Sequence, residues 1–346
     1  MSDASPAWGA ALRAWYRRHR RPLPWRGIRD PYPIWVSEVM AQQTRIATVQ
    51  PYYAAFLRRF PSLRSLARAK RDQVLAAWSG LGYYRRARHL HDAARLVVRE
   101  HSGRIPDDPE AFGRLPGVGR YTTGAVLSIV FDRPLPVLDG NVARVLSRLH
   151  ALRASIRDPR GARRLWTLAG TLVPMRNPGD WNQALMELGA TVCTPSGPDC
   201  AACPVRKWCR ALATGRVGAF PPVVARRAVE KVRRAVVLIE RRGRVLMVRR
   251  SGPLLDGLWE PPGVELRDGQ VAGPALQREL RRLGLSAIIQ PTGRTVKHTI
   301  THRAIAVEVW RGSATGRLRG PGLWCDARDG SHPLTALGRR LLMRAQ

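Results

Sequence analysis

From Met1 to about Arg216 apolar residues return every three or four positions, as in Val74, Leu75 and Trp78 and again in Leu90, Ala94 and Val97. Pro and Gly break these runs into segments of helical length, so the first half of the chain is predicted to be helical. It opens with an amphipathic stretch in which Trp8, Leu12, Trp15 and Tyr16 alternate with Arg13, Arg17 and Arg18. Between Gly215 and Glu230 the pattern gives way to Gly, Pro and Arg, including Phe220-Pro221-Pro222. Beyond it come β-branched runs, Ala235 to Ile239 and Val245 to Val248, joined by a turn signal at Arg242-Gly243. Further strands are predicted at Ala287 to Gln290 and Ala304 to Trp310, with helices near Pro274 to Leu283 and Thr335 to Ala345. The expectation is a helical domain over 1–216, a linker over 217–232 and a small α+β domain over 233–346.

Composition adds a partner class. Lys and Arg total 59 against 25 Asp and Glu, a net charge of +34 over 346 residues. A chain this basic repels itself unless a polyanion is its partner, and nucleic acid is the leading candidate. The arginines occur throughout rather than in one run, so a solvated basic surface accounts for many of them. No signal-peptide pattern and no apolar run of membrane-spanning length is present, and the expected setting is intracellular: bacterial cytoplasm or, in a eukaryote, the nucleus.

Four of the five cysteines crowd together as Cys193-x6-Cys200-x2-Cys203-x5-Cys209. All-sulfur ligation suits zinc or an iron–sulfur cluster. Zinc modules usually pair two short hooks and only one C-x2-C is present, which favours [4Fe–4S]. Upstream, Leu115-Pro116-Gly117-Val118-Gly119-Arg120-Tyr121 lies between two helical patterns. Gly117 and Gly119 permit a left-handed turn, and their N–H groups with the next helix start form an anion pocket suited to a DNA phosphate. Asp139, in Leu138-Asp139-Gly140-Asn141, precedes an apolar-periodic helix as its N-cap, where backbone donors favour the carboxylate. A capping Asp by itself is ordinarily structural. Glu38 sits in Ile34-Trp35-Val36-Ser37-Glu38-Val39-Met40, where desolvation should raise its pKa and suit it to donate a proton. One readily ionised and one reluctant carboxylate form the pair that breaks glycosidic bonds.

Glu38 with Gln42-Gln43-Thr44, the Gly117 to Tyr121 hairpin, Leu138-Asp139-Gly140-Asn141 and the cysteine spacing together resemble the MutY family of adenine DNA glycosylases in the endonuclease III superfamily. The resemblance covers nearly the whole chain. It implies a two-lobed helix-hairpin-helix glycosylase with a [4Fe–4S] cluster, and a Nudix-like C-terminal domain. Its expected substrate is adenine opposite 8-oxoguanine or guanine in duplex DNA, bound by a monomer. Trp181-Asn182-Gln183-Ala184-Leu185-Met186-Glu187 is similar to the family and places Glu187 near the extruded adenine, while Pro24-Trp25-Arg26 resembles another wall of that pocket. Gln43 and Tyr83 match residues with which the family wedges the duplex open, and Tyr121 and Asn141 match residues that help position the reacting groups.

The resemblance also discriminates among rival activities. Strand-cutting relatives carry a Schiff-base Lys where this chain has Tyr121, and its only lysines are Lys70, Lys207, Lys231 and Lys297. A non-enzymatic mismatch binder would lack one of the two carboxylates. Nudix pyrophosphatases need clustered glutamates for Mg²⁺ where this chain reads Arg281-Arg282-Leu283 after Arg278-Glu279-Leu280. The family reads 8-oxoguanine with Phe-Ser-His; the matching stretch here is Ile300-Thr301-His302, which keeps a hydroxyl and loses the aromatic ring.

Overall fold

The computed structural model describes residues 6–223, 228–252, 254–326 and 332–342. The chain divides into two compact units, Met1–Arg68 with His89–Ala225, and Ala69–Arg88 with Arg226–Gln346. The segment Ala69–Arg88 thus departs from the continuous 1–216 range read from the sequence. Periodicity predicts that this stretch contains a helix, and Arg71–Ala77 is one, but it carries no information on which unit the helix joins.

The first unit is helical. Trp8, Leu12 and Tyr16, flanking and within the helix Gly9–His19, meet Leu146 of Gly140–Leu149 and Trp181 and Leu185 of Pro178–Thr191 in one core. The helix Pro31–Ala41 buries Tyr32 and every residue from Ile34 to Met40, so it has no broad polar face and runs through the interior. That course takes Glu38 inside. The hairpin joins the short helix Pro109–Gly113 to Arg120–Phe131. Gly117 is left-handed, φ +75°, and a Cβ there would stand 2.5 Å from the Cβ of His89. Gly119, expected to share that turn, is instead extended at φ −102°, with nothing within 4 Å of a Cβ built on it. Its missing side chain leaves open space beside the first helical turn.

In the second unit β1 (Glu230–Arg241), β2 (Arg244–Arg249), β3 (Trp259–Glu260), β4 (Gly263–Leu266), β5 (Leu285–Ile300), β6 (Arg303–Gly316) and β7 (Gly322–Cys325) form one mixed sheet in the order β3-β2-β1-β6-β5, with β4 on β1 and β7 on β2. Arg242 and Gly243, φ 51° and 71°, turn β1 into β2. β1 runs parallel to β6 and is buried on both faces. Val236 and Leu238 pack with Met247, Val307 and Leu337, and Val237 and Ile239 pack with Leu276 and Leu280 of the helix Ala272–Arg282. β5 and β6 are longer than their apolar runs because the hairpin continues through polar residues to its tip. Glu279 pairs with Arg282, and Glu265 with Arg303, so these carboxylates face arginines. The last helix is Ala336–Leu342, and residues 343–345 of the predicted C-terminal helix lie outside the described residues. Among the described residues no helix is long and apolar enough to cross a membrane.

Candidate active site

Glu38 projects from Pro31–Ala41 and is 8% exposed. The Tyr121 hydroxyl, on the first turn of Arg120–Phe131, donates to Glu38 Oε2 at 2.8 Å. Burial raises the Glu38 pKa to about 7, against the lowering effect of the Tyr121 hydrogen bond; the Asp139 charge adds to the rise and Arg26 opposes it. Burial likewise holds the Tyr121 phenol well above its usual range, so it stays a neutral donor. Asp139 caps Gly140–Leu149: the Val142 N–H donates to its Oδ1 at 2.7 Å and Asn141 Nδ2 to its Oδ2 at 3.0 Å. The residue keeps an exposed edge while its carboxyl group is enclosed, and that burial raises its pKa despite the Val142 and Asn141 donors. The cap donors lower that pKa, as expected of an N-cap carboxylate, and desolvation is the larger, opposing effect. Gly189 allows Pro178–Thr191 to lie against Asn141, whose Cβ is 2.6 Å from where a Gly189 Cβ would be.

Glu187, 1% exposed, lies at the centre of an arginine clamp. Arg21 donates its backbone N–H at 3.0 Å and Nε at 2.7 Å to Oε1 and Nη2 at 2.9 Å to Oε2, and Arg26 Nη2 donates to Oε2 at 2.5 Å. Burial alone would raise the Glu187 pKa, but the hydrogen bonds from Arg21 and Arg26 bring it down to about 2. Both of its oxygens are therefore engaged by arginine. Arg26 Nη1 also donates to the Arg21 carbonyl at 2.7 Å. Trp25 packs edge-on to Tyr53 with ring centroids 5.0 Å apart. Arg21 was not singled out from the sequence, since an ion pair spanning 166 positions leaves no local pattern. Gln183, one helical turn before Glu187, accepts from Tyr16 Oη at 3.0 Å.

Cys193, Cys203 and Cys209 pack against the helical core, and all four cysteines of the run are half-buried. Burial, reinforced by the charges of Cys193, Cys209 and Cys200, pushes the Cys203 thiol up to about 11. Among the described residues no three His, Cys, Asp or Glu side chains stand close enough to share one metal ion. Two further arginines escaped the sequence reading. Arg148, 3% exposed, donates to the carbonyls of Phe220 and Thr194 at 3.0 and 2.7 Å and reaches Cys193 Sγ at 3.4 Å. Arg144 donates to the Cys193 carbonyl at 2.7 Å and to Asn141 Oδ1 at 2.8 Å, so one guanidinium spans the cysteine loop and the Asp139-Asn141 pair. The only local signal was its position three residues beyond Asn141 on the same helical face.

Gln43 is exposed in the turn after Pro31–Ala41 with φ 57°, and Tyr83, in the other unit, is 46% exposed with φ 49°. Thr301 and His302 form the tip of the β5–β6 hairpin, where Thr301 is exposed with φ 54°. The Thr301 hydroxyl donates to the Ile300 carbonyl at 2.7 Å, and His302 Nε2 lies 3.6 Å from Glu230. Ile300 points the other way and packs against the Val236-Val307 core.

The chain matches the HhH-GPD superfamily base excision DNA repair proteins over residues 36–169 and the NUDIX domain over residues 234–343. It is 39% identical over 361 residues to the adenine DNA glycosylase of Mus musculus, covering 88% of this chain and 70% of the relative. With the adenine DNA glycosylase of Homo sapiens it shares 38% identity, over 88% of this chain and 66% of the relative. A thermostable thymine-DNA glycosylase superposes with a TM-score of 0.55 at 30% identity, over 60% of this chain and 95% of that structure. An endonuclease III in a non-covalent DNA complex shares the fold, with a TM-score of 0.51 at 21% identity over 60% of this chain and 94% of its own. Two domains in this order, with similarity running through both, decide among these relatives: the chain belongs to the adenine DNA glycosylases, base-excision repair enzymes that release adenine from DNA.

Proposed function

We propose that the chain is a monofunctional glycosylase acting as a monomer on adenine opposite 8-oxoguanine or guanine in duplex DNA. The observation that carries the chemistry is the Tyr121-Glu38 hydrogen bond beside the capped Asp139. A stacked base is out of reach, so adenine leaves the duplex first; Gln43 and Tyr83, exposed on left-handed turns, are the residues proposed to fill the opened stack. Trp25, Arg26 and Glu187 shape the base pocket, with Glu187 holding the Arg26 guanidinium in place. Glu38 in its acid form gives its proton to the base. The N-glycosidic bond then breaks with its electron pair leaving on adenine, and the sugar becomes oxocarbenium-like. The Asp139 carboxylate, oriented by Asn141 and the Val142 N–H, stabilises that cation. Water adds at the sugar carbon, loses a proton, and an abasic site remains. With Tyr121 in the hairpin in place of lysine, no Schiff base forms and the strand stays intact.

Gly117 and Gly119 with the start of Arg120–Phe131 suit a DNA phosphate. Cys193, Cys200, Cys203 and Cys209 would hold the [4Fe–4S] cluster: all four are half-buried, and the charges of the other three act on Cys203. Bound there, it would order the Cys193-to-Cys209 loop. Thr301 and His302 at the hairpin tip are proposed to read the base opposite adenine. Incubation with A:8-oxoguanine and thymine-glycol duplexes, with and without alkali, tests the reading. Breakage of the first only, and only after alkali, is expected; nicking without alkali contradicts it. Iron and labile sulfide in anaerobically purified protein test the cluster, and zinc without iron contradicts it.

A further inference from the structure

The loop that carries Tyr83 is built into the second unit, since Ala69–Arg88 share it with Arg226–Gln346. Its polar groups converge on one carbonyl. Leu334 is paired with Trp259 in a parallel bridge; the Trp259 N–H donates to the Pro333 carbonyl at 2.8 Å and the Thr335 N–H to the Trp259 carbonyl at 3.0 Å. Onto the Leu334 oxygen fixed in this way, Ser79 Oγ donates at 2.9 Å and Tyr84 Oη at 3.4 Å. Tyr84 Oη in turn accepts the Gly80 N–H at 3.0 Å, and Arg339 Nη2 donates to the Ser79 carbonyl at 3.1 Å. At the two ends of the segment Asp72 pairs with Arg249 at 2.7 Å and Arg88 donates to the Asp256 carbonyl at 2.5 Å.

Between these anchors the backbone turns through left-handed conformations. Gly80, Gly82 and Tyr83 are all left-handed, φ 103°, 79° and 49°, and a tyrosine persists there only where its surroundings over-determine it. Trp78 Nε1 donates to the Gly82 carbonyl at 3.1 Å, and the Arg86 guanidinium lies 5.6 Å from the Trp78 ring and 5.2 Å from that of Tyr83. The loop is held at Ser79, Gly80, Gly82 and Tyr84 while the Tyr83 ring remains 46% exposed.

We propose that the Leu334 carbonyl, with Ser79, Tyr84 and Arg339, is the positioning device for the Tyr83 ring, so that residues of the C-terminal half set the wedge that opens the duplex. This rests on the reading of Tyr83 as a wedge residue. The anchor lies 255 positions from Ser79 in sequence. These groups belong to the unit that carries Tyr83, not to the one that carries Glu38 and Asp139, so their loss should act on extrusion of the base rather than on bond cleavage.

The test uses the full chain and a duplex with 2-aminopurine beside the target adenine, whose fluorescence rises when its neighbour unstacks. In stopped flow, Ser79→Ala/Tyr84→Phe should slow or diminish that rise about ten-fold, the effect of losing two neutral hydrogen bonds. Arg339→Gln, which removes only the bond to the Ser79 carbonyl, should give a smaller loss in the same direction and decides the matter if the double variant does not fold. An undiminished fluorescence rise in the folded double variant, or in Arg339→Gln where that variant decides, would overturn the inference. Tyr83→Ser separates the two layers: a wild-type signal from it refutes the wedge reading itself, whereas its loss beside an unchanged Ser79→Ala/Tyr84→Phe signal refutes only the bracing.

Discussion

Tyr121→Phe isolates one hydrogen bond in the acid pair. It keeps the ring and deletes the hydroxyl that donates to Glu38 Oε2 at 2.8 Å. That donor favours the carboxylate form of Glu38 and so pulls its pKa down against the larger effect of burial, which leaves it at about 7. Removing it must raise the pKa further. A hydrogen bond to a charged group contributes about 1.5–3 kcal/mol, and one pKa unit is about 1.4 kcal/mol. Because the protonated acid keeps a weaker version of the bond, the net rise should fall at the low end, about one unit. Single-turnover excision measured over roughly pH 5 to 10 with an alkali quench gives the profile. The wild-type rate should fall above about pH 7 as Glu38 loses its proton, and the variant should begin its fall about one unit later. Its plateau should be lower, since a weaker acid transfers its proton less readily, but the position of the limb is the readout. A limb that stays in place or moves to lower pH would refute the role of this bond.

Glu38→Gln should bind A:8-oxoguanine duplex normally while base release falls by ~10²–10⁴-fold, and near-normal single-turnover cleavage would sink the acid assignment. Glu187→Gln leaves Arg21 and Arg26 facing a neutral amide, and urea unfolding at neutral pH should show a loss of about 2–3 kcal/mol, discounted for the part-exposed Arg21. The sign with pH follows from the lowered Glu187 pKa: its stabilisation is complete above about 4.5 and disappears as pH falls toward about 2, so the gap between wild type and variant should narrow in acid. Thr301→Ala with His302→Ala should shrink the preference for A:8-oxoguanine over A:guanine about ten-fold, as for one base-reading hydrogen bond; an equal loss on both duplexes would mark the hairpin tip as a backbone contact instead.

What the sequence made legible was whatever has a local signature. A carboxylate at a helix start, a glutamate in an apolar run and the Arg242-Gly243 turn are each contained within a few residues. The arginines were not legible. Arg21, Arg144 and Arg148 act across 166, 49 and 45 positions, and in a chain with 59 basic residues none stands out. Nor does periodicity tell a helix which unit to join, which is how Ala69–Arg88 escaped. Ile300 and Thr301 show the reverse case. Alternation along β5 puts Ile300 on the same face as Val296, against the core, and leaves the tip to Thr301. The lost aromatic ring of the family motif therefore sits at a position that, in this chain, packs inward.

The carboxylates of the helical unit show why burial alone decides little. Glu38 and Glu187 are 8% and 1% exposed, and for both the largest single effect is desolvation, which favours the neutral acid. What differs is the partner. Glu187 meets two guanidinium groups and a backbone N–H, which together reverse the penalty and carry it to about 2. Glu38 meets one neutral hydroxyl, with Asp139 near it and Arg26 exerting only a minor pull, and remains at about 7. Burial that no cation offsets in full is what keeps Glu38 an acid at neutral pH. Arg26, whose charge pulls the Glu38 pKa down, donates its hydrogen bonds to Glu187 and the Arg21 carbonyl, so it acts on Glu38 through its charge and directly bonds the carboxylate that it keeps anionic.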